Sequence, residues 1–200
     1  MHNSLTISPS PIDSASVGDP TRFLSEAELE QRLIQNQPDP KDGGQLALLI
    51  RRGDGGLRQR VDRVCLDPVS GFPGDAWGRK SDPKLHSQIT VMQLSVAEML
   101  ANGQPLELFG DNLFVHLDLS AMSLPPLSRI RIGSAIVEVT EKPHTGCNKF
   151  EARFGLAARS FTLRPDIRPL NLRGIHVQVV EAGDVFVGCL IEVLRRGTAG

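Results

Sequence analysis

Apolar and polar positions along the chain fall into three regimes. Residues 1–20 are rich in Ser, Pro and Asp and show no apolar periodicity. Such a segment buries too little to offset the entropy of ordering it, so it is expected to be a flexible arm. Residues 21–44 form the second regime. Ser25 is a good N-cap with Glu28 three residues on, and Leu24, Leu29, Leu33 and Ile34 make an apolar stripe until Pro38 and Pro40. This predicts a capped helix and linker laid on the domain, with a partner-binding arm as the alternative.

From Gln45 the period changes to two. LALLIRR and LRQRVDRVCLD flank GDGG, which reads as a hairpin, with Cys65 late in its second strand and buried as a small structural side chain. Gly71, Pro73 and Gly74 then open a loop carrying Asp75, Trp77, Arg79 and Lys80. A strand over Ile89–Met92 precedes a helical turn through Val96, Met99 and Leu100, which Asn102-Gly103 stops. Further strands flank Gly133-Ser134, and the last ones surround a Gly-Asp turn and Gly188. Roughly eight short strands with regular turn signals predict an all-β, barrel-like domain with a few short helices over residues 45–196, then a tail at 197–200.

Composition narrows the possibilities. At 200 residues and 40% hydrophobic content the chain can bury a real core, and 22 basic against 23 acidic side chains give a net charge of −1. No global charge draws it to nucleic acid or to an anionic membrane, so anion binding requires local clustering. No apolar run reaches membrane-spanning length, and the N-terminus lacks a secretory pattern. Three cysteines, at 65, 147 and 189, have neither zinc-finger nor CxxC spacing, which fits a reducing cytoplasm.

The chemistry concentrates between Glu141 and Phe161. Cys147 follows Pro143, Thr145 and Gly146 in a turn, with His144 before it and Lys149, Arg153 and Arg159 after it. Cationic neighbours favour thiolate, the nucleophilic and metal-binding form; the alternative is a buried, inert thiol. Phe150, Phe154, Leu156, Ala157 and Phe161 predict a helix starting just after Cys147, whose N-terminus would stabilise negative charge there. Arg164, Arg168 and Arg173 form either a solvated face or a fork for phosphate.

PHTGCNKFEARFG, with IGSAIVEVTEK before it and LNLRGIHVQVVEAGDVFVGCLIEV after it, resembles the MOSC family, the C-terminal domain of the pyridoxal-phosphate-dependent molybdenum-cofactor sulfurases that also occurs as stand-alone bacterial proteins. GFPGDAW and GDNLFVHLDLS add to the likeness, which extends over Gln45 to Arg195, while Gly188-Cys189 departs from the family's Gly-Asp. The resemblance implies that Cys147 carries sulfur or ligates the metal of molybdenum cofactor. It also implies a pterin held by His144, Thr145, Asn148, Lys149, Arg153, Arg159 and Arg173, and makes the Gly71–Trp77 loop a wall of the site.

Three function classes therefore compete. One is a sulfur carrier charged as a persulfide by a cysteine desulfurase; the second is a binding module for molybdenum cofactor; the third is an interaction domain with an inert cysteine. The sequence carries no flavin, NAD or P-loop fingerprint, so redox activity would need a partner protein. A Cys-His-Asp hydrolase on Cys147 and His144, and a zinc site on His144, Cys147 and Cys189, are minor alternatives.

Overall fold

A computed structural model describes residues 11–198. The strands are β1 (Gly44–Arg52), β2 (Arg58–Val61), β3 (Arg63–Leu66), β4 (Ile89–Gln93), β5 (Leu113–His116), β6 (Arg129–Ile132), β7 (Ala135–Pro143), β8 (Ile175–Glu181), β9 (Gly183–Phe186) and β10 (Leu190–Arg195). The helices are α1 (Glu26–Gln35), α2 (Leu94–Ala101), α3 (Asn148–Phe154) and α4 (Leu156–Leu163). Eight strands form one sheet in the order β10-β6-β7-β8-β4-β5-β1-β2, and β3 pairs with β9 in a small second sheet. Pairing is antiparallel except between β4 and β5. β10 also pairs with β1, through Gly44↔Ile191 and Gln45↔Leu190, so the first strand of the ladder returns to the seventh and β2 lies beyond that junction. The architecture is mostly β, but with four α-helices it is more helical than an all-β reading allows.

Two apolar cores follow from the strand alternation. Leu46, Leu49, Val91, Leu113, Val137 and Val177 point into the first, enclosed by the large sheet. Their neighbours of opposite parity, Ile50, Met92 and Phe114, meet Leu29, Phe154 and Phe161 of the helices in the second. α1 has the expected capping box, with Ser25 N–H donating to Glu28 Oε2 at 2.8 Å. Leu24 and Leu29 are buried, whereas Ile34 at the far end of the stripe is 85% exposed.

Three expectations are corrected. The hairpin forms as β1–β2, with Leu49 opposite Val61, but its second strand breaks at Asp62, and β3 leaves to pair with β9. That break resets the alternation, so Cys65 is exposed rather than buried. The segment following Cys147 is two helices rather than one. Gly155, at φ 91°, occupies a backbone region that strains any other residue, and it lies against Phe23.

The third correction concerns the arm. Residues 1–10 lie outside the described residues, but residues 11–19 are strapped to the domain. Arg58 N–H donates to Ile12 O at 2.8 Å, Gly18 N–H to Ala152 O at 3.1 Å, and Asp19 N–H to Gln104 Oε1 at 2.7 Å. Among the described residues, no helix is long and apolar enough to cross a membrane.

Candidate functional site

β7 delivers the cysteine turn, and α3 leaves it. Cys147 is the N-cap of α3 with extended backbone (φ −100°, ψ 179°), and its thiol is exposed. The turn is held close: a side chain at Gly146 would place its Cβ 2.9 Å from Phe150 Cδ1 and 3.4 Å from Arg159 Cγ. Partial burial alone would push the thiol pKa up. It is outweighed by the backbone N–H groups of Phe150 and Lys149 and by the charge of Arg173, so the pKa lies below its ordinary value.

Arg173 is the central cation. Its Nη1 donates to Asp111 Oδ2 at 2.6 Å and its Nη2 to Phe109 O at 3.3 Å, while the guanidinium lies over the rings of Phe150 and Phe109 at 5.0 and 5.7 Å. The other Asp111 oxygen, Oδ1, lies 3.6 Å from His144 Nδ1, too far for a hydrogen bond of ordinary geometry. The rings of His144 and His176 are 4.5 Å apart. Burial, then the charge of Arg173, pushes the His144 pKa well down; burial also lowers that of His176, so both rings are neutral at pH 7. His176 Nδ1 lies 3.2 Å from Lys142 O, and because a carbonyl only accepts, that nitrogen carries the proton.

A second buried knot closes the other side. Asp75 is gripped by Arg52 through Nε and Nη2, and it accepts from Trp77 N–H and from Asn112 Nδ2. This fastens the Gly71–Trp77 loop to β1 and to the Gly110–Asn112 turn. Arg58 is half-buried beside this knot. Burial, then the charges of Arg153 and Arg52, lowers its pKa from the usual guanidinium value.

Four arginines, 52, 58, 153 and 173, thus share a region with two buried carboxylates, Asp75 and Asp111. Arg58 Nε, Arg173 Nε, Asp111 Oδ1 and His144 Nδ1 are buried without a hydrogen-bond partner among the described residues. Buried polar atoms are normally satisfied, so an unsatisfied set of this kind marks a place for water or a polar ligand.

The residues expected to hold a cofactor divide into groups. Thr145, Asn148 and Lys149 are exposed on the turn around Cys147. Arg159 overlies the turn and pairs with Glu151 at 2.7 Å. Arg153, expected on the ligand, instead points its guanidinium at the carbonyls of Ser14, Ser16 and Leu108, at 2.9, 3.0 and 2.8 Å. It clamps the N-terminal strap. Arg173 is committed to Asp111 but retains the unpaired Nε.

Arg52, Arg58 and His176 were not singled out from the sequence. The basic pair flanking GDGG was a usable signal for the first two, whereas a histidine within an apolar strand carried none. Among the described residues, no three His, Cys, Asp or Glu side chains converge as a metal site. The zinc arrangement is therefore not assembled, and Cys189 is buried before β10.

Taken together, these features define a mostly β protein that presents a single cysteine beside a buried arginine cluster. The MOSC domain profile matches residues 85–192, more than half of the chain, and the chain belongs to that family. Solved structures of similar fold include the YuaD protein of Bacillus subtilis, 21% identical with a TM-score of 0.54, covering 75% of this chain and 95% of that one. YiiM of Escherichia coli is similar too, at 18% identity and a TM-score of 0.53, covering 78% of this chain and 72% of that one. No curated protein matches.

Proposed function

We propose that this protein is a stand-alone sulfur carrier in which Cys147 accepts sulfur as a persulfide beside a site for the anionic pterin of molybdenum cofactor. The observation that carries this reading is the exposed thiol of lowered pKa, with Arg173 behind it and buried, unpaired Nε atoms on Arg58, Arg159 and Arg173. In the transfer step the Cys147 thiolate attacks the terminal sulfur of a donor persulfide, such as that of a cysteine desulfurase. A new S–S bond forms on Cys147, the donor S–S bond breaks, and the donor leaves as a thiolate, so no oxidant is consumed. Passing that sulfur on to an acceptor regenerates the Cys147 thiolate.

The chemistry of the donor set fits the cofactor. An exposed soft thiolate suits molybdenum or a sulfur attached to it, and the orphaned Nε atoms of Arg58 and Arg173 suit phosphate oxygens. With no cluster of protein ligands among the described residues, any metal would arrive already held by its pterin. Bound there, the cofactor would supply a redox-active metal, and electrons would come from a partner protein. The exposed turn disfavours the reading of Cys147 as a structural thiol. In this account the sheet, with β10 returning to β1, acts as a barrel-like scaffold working in a reducing cytoplasm.

The test is direct. Incubation with a persulfide donor should add the mass of one sulfur atom to the peptide carrying Cys147, reversibly by reductant, and Cys147→Ser should abolish it. Sulfur appearing first on Cys65 would overturn the proposal.

A further inference from the structure

A cavity of about 320 Å³ opens where the end of β7 meets the start of β8, beneath the loops around residues 121–126 and 165–171. The volume lies at the small end of the usual range for small-molecule sites, about 300–1,000 Å³. Its walls are apolar, built from Leu124, Pro126, Val139, Pro143, Pro169 and Ile175. Ala121 N–H donates to Pro169 O at 2.8 Å and ties the two loops together, so the cavity has a fixed frame.

The charged lining consists of Lys142, Arg168 and Glu141. Among the described residues, neither the Lys142 ammonium nor the Arg168 guanidinium has a hydrogen-bond or ion-pair partner, although most other arginines of the chain are engaged. His144 also lines the cavity, and its neutral ring adds no charge. Cys147 and the arginines of the thiol site are not part of the lining. A half-open apolar cleft with two exposed, unpaired cations and one carboxylate at its rim is complementary to a molecule with a compact apolar body and a single negative group.

We propose that this cavity is a second binding site, for a small organic monocarboxylate with an aromatic or branched aliphatic body. The apolar part fills the space between Leu124, Val139 and Ile175, and the carboxylate meets Lys142 and Arg168. Glu141 weakens the attraction and selects against ligands of higher negative charge. This site adjoins the thiol site at His144 but contains neither Cys147 nor its arginines, and it does not depend on what Cys147 does.

Paired probes test it: 1-naphthoate, and its neutral counterpart 1-naphthamide, titrated into the full chain by calorimetry. The wild type should bind naphthoate about tenfold more tightly than naphthamide, the size of one charge-assisted contact. Lys142→Ala with Arg168→Ala should erase that difference while leaving naphthamide binding unchanged, and Glu141→Gln should strengthen naphthoate. Ala121→Trp, at a half-exposed position of the lining, should abolish binding of both probes without lowering the melting temperature. Cys147→Ser should retain both. The proposal is overturned if neither probe binds at millimolar concentration, if the two bind equally to the wild type, or if Cys147→Ser removes the binding.

Discussion

Asp111 and Arg173 form a buried ion pair, 2.6 Å from Oδ2 to Nη1, with side chains 1% and 8% exposed. The pair connects the Gly110–Asn112 turn to the start of β8 and places positive charge behind the cysteine turn. Removing one partner leaves the other charged in a poorly solvated interior, at a cost of about 3–5 kcal/mol. Arg173→Met and Asp111→Asn should each lower stability on that scale in urea denaturation. The double variant should recover part of the loss.

The three thiols should separate by reactivity. Cys147 is exposed with a lowered pKa, Cys65 is exposed without those neighbours, and Cys189 is buried with its pKa raised by burial. Substoichiometric iodoacetamide at neutral pH, followed by peptide mapping, should label Cys147 first and Cys189 last. Labelling of Cys65 ahead of Cys147 would show that the surroundings of the turn do not activate its thiol.

Stability should fall on mild acidification. His144 and His176 have folded-state pKa values below the ordinary 6.5, so between those values and 6.5 the unfolded chain binds more protons than the folded one. Their contribution is full above pH 6.5 and is lost as pH falls through that window. The urea midpoint should therefore drop from pH 7 to pH 5. His144→Gln should flatten the slope, and an unchanged slope would place the acid sensitivity elsewhere.

Removing residues 1–19 should destabilise the domain, because Arg153 would lose two of its three carbonyl acceptors and the strap that covers it. A loss of about 1–3 kcal/mol is expected from those two hydrogen bonds, each worth about 0.5–1.5 kcal/mol net. Removing residues 1–10 alone keeps both acceptors. Thermal melting of the two truncations should show the larger drop only for the longer one.

The sequence made Cys147, its turn and the helix behind it legible because their signals are local: a proline, a glycine, a thiol and an apolar helical spacing within a few residues. The capping box of Ser25 and Glu28 is legible for the same reason. Roles set by distant backbone were not. Arg153 has the same side chain whether it meets a ligand or the carbonyls of Ser14 and Ser16, and only the folded path of the strap decides between them. Cys65 was misplaced by one irregular residue, Asp62, since a single break in a strand exchanges its faces. Asp111 was visible as part of GDN, but its pairing with Arg173 spans 62 residues of sequence.

The meeting of β1 with β10 also has a temporal side. β1 leaves the ribosome well before β10, so the part of its edge that pairs with β10 has no native partner while all the strands between them are made. An edge in that state can template pairing with another nascent chain, and contacts between such distant segments make folding slow. Yield of native protein should then depend on how fast β10 is delivered after β1, a dependence governed by translation and chaperones rather than by the stability of the finished domain.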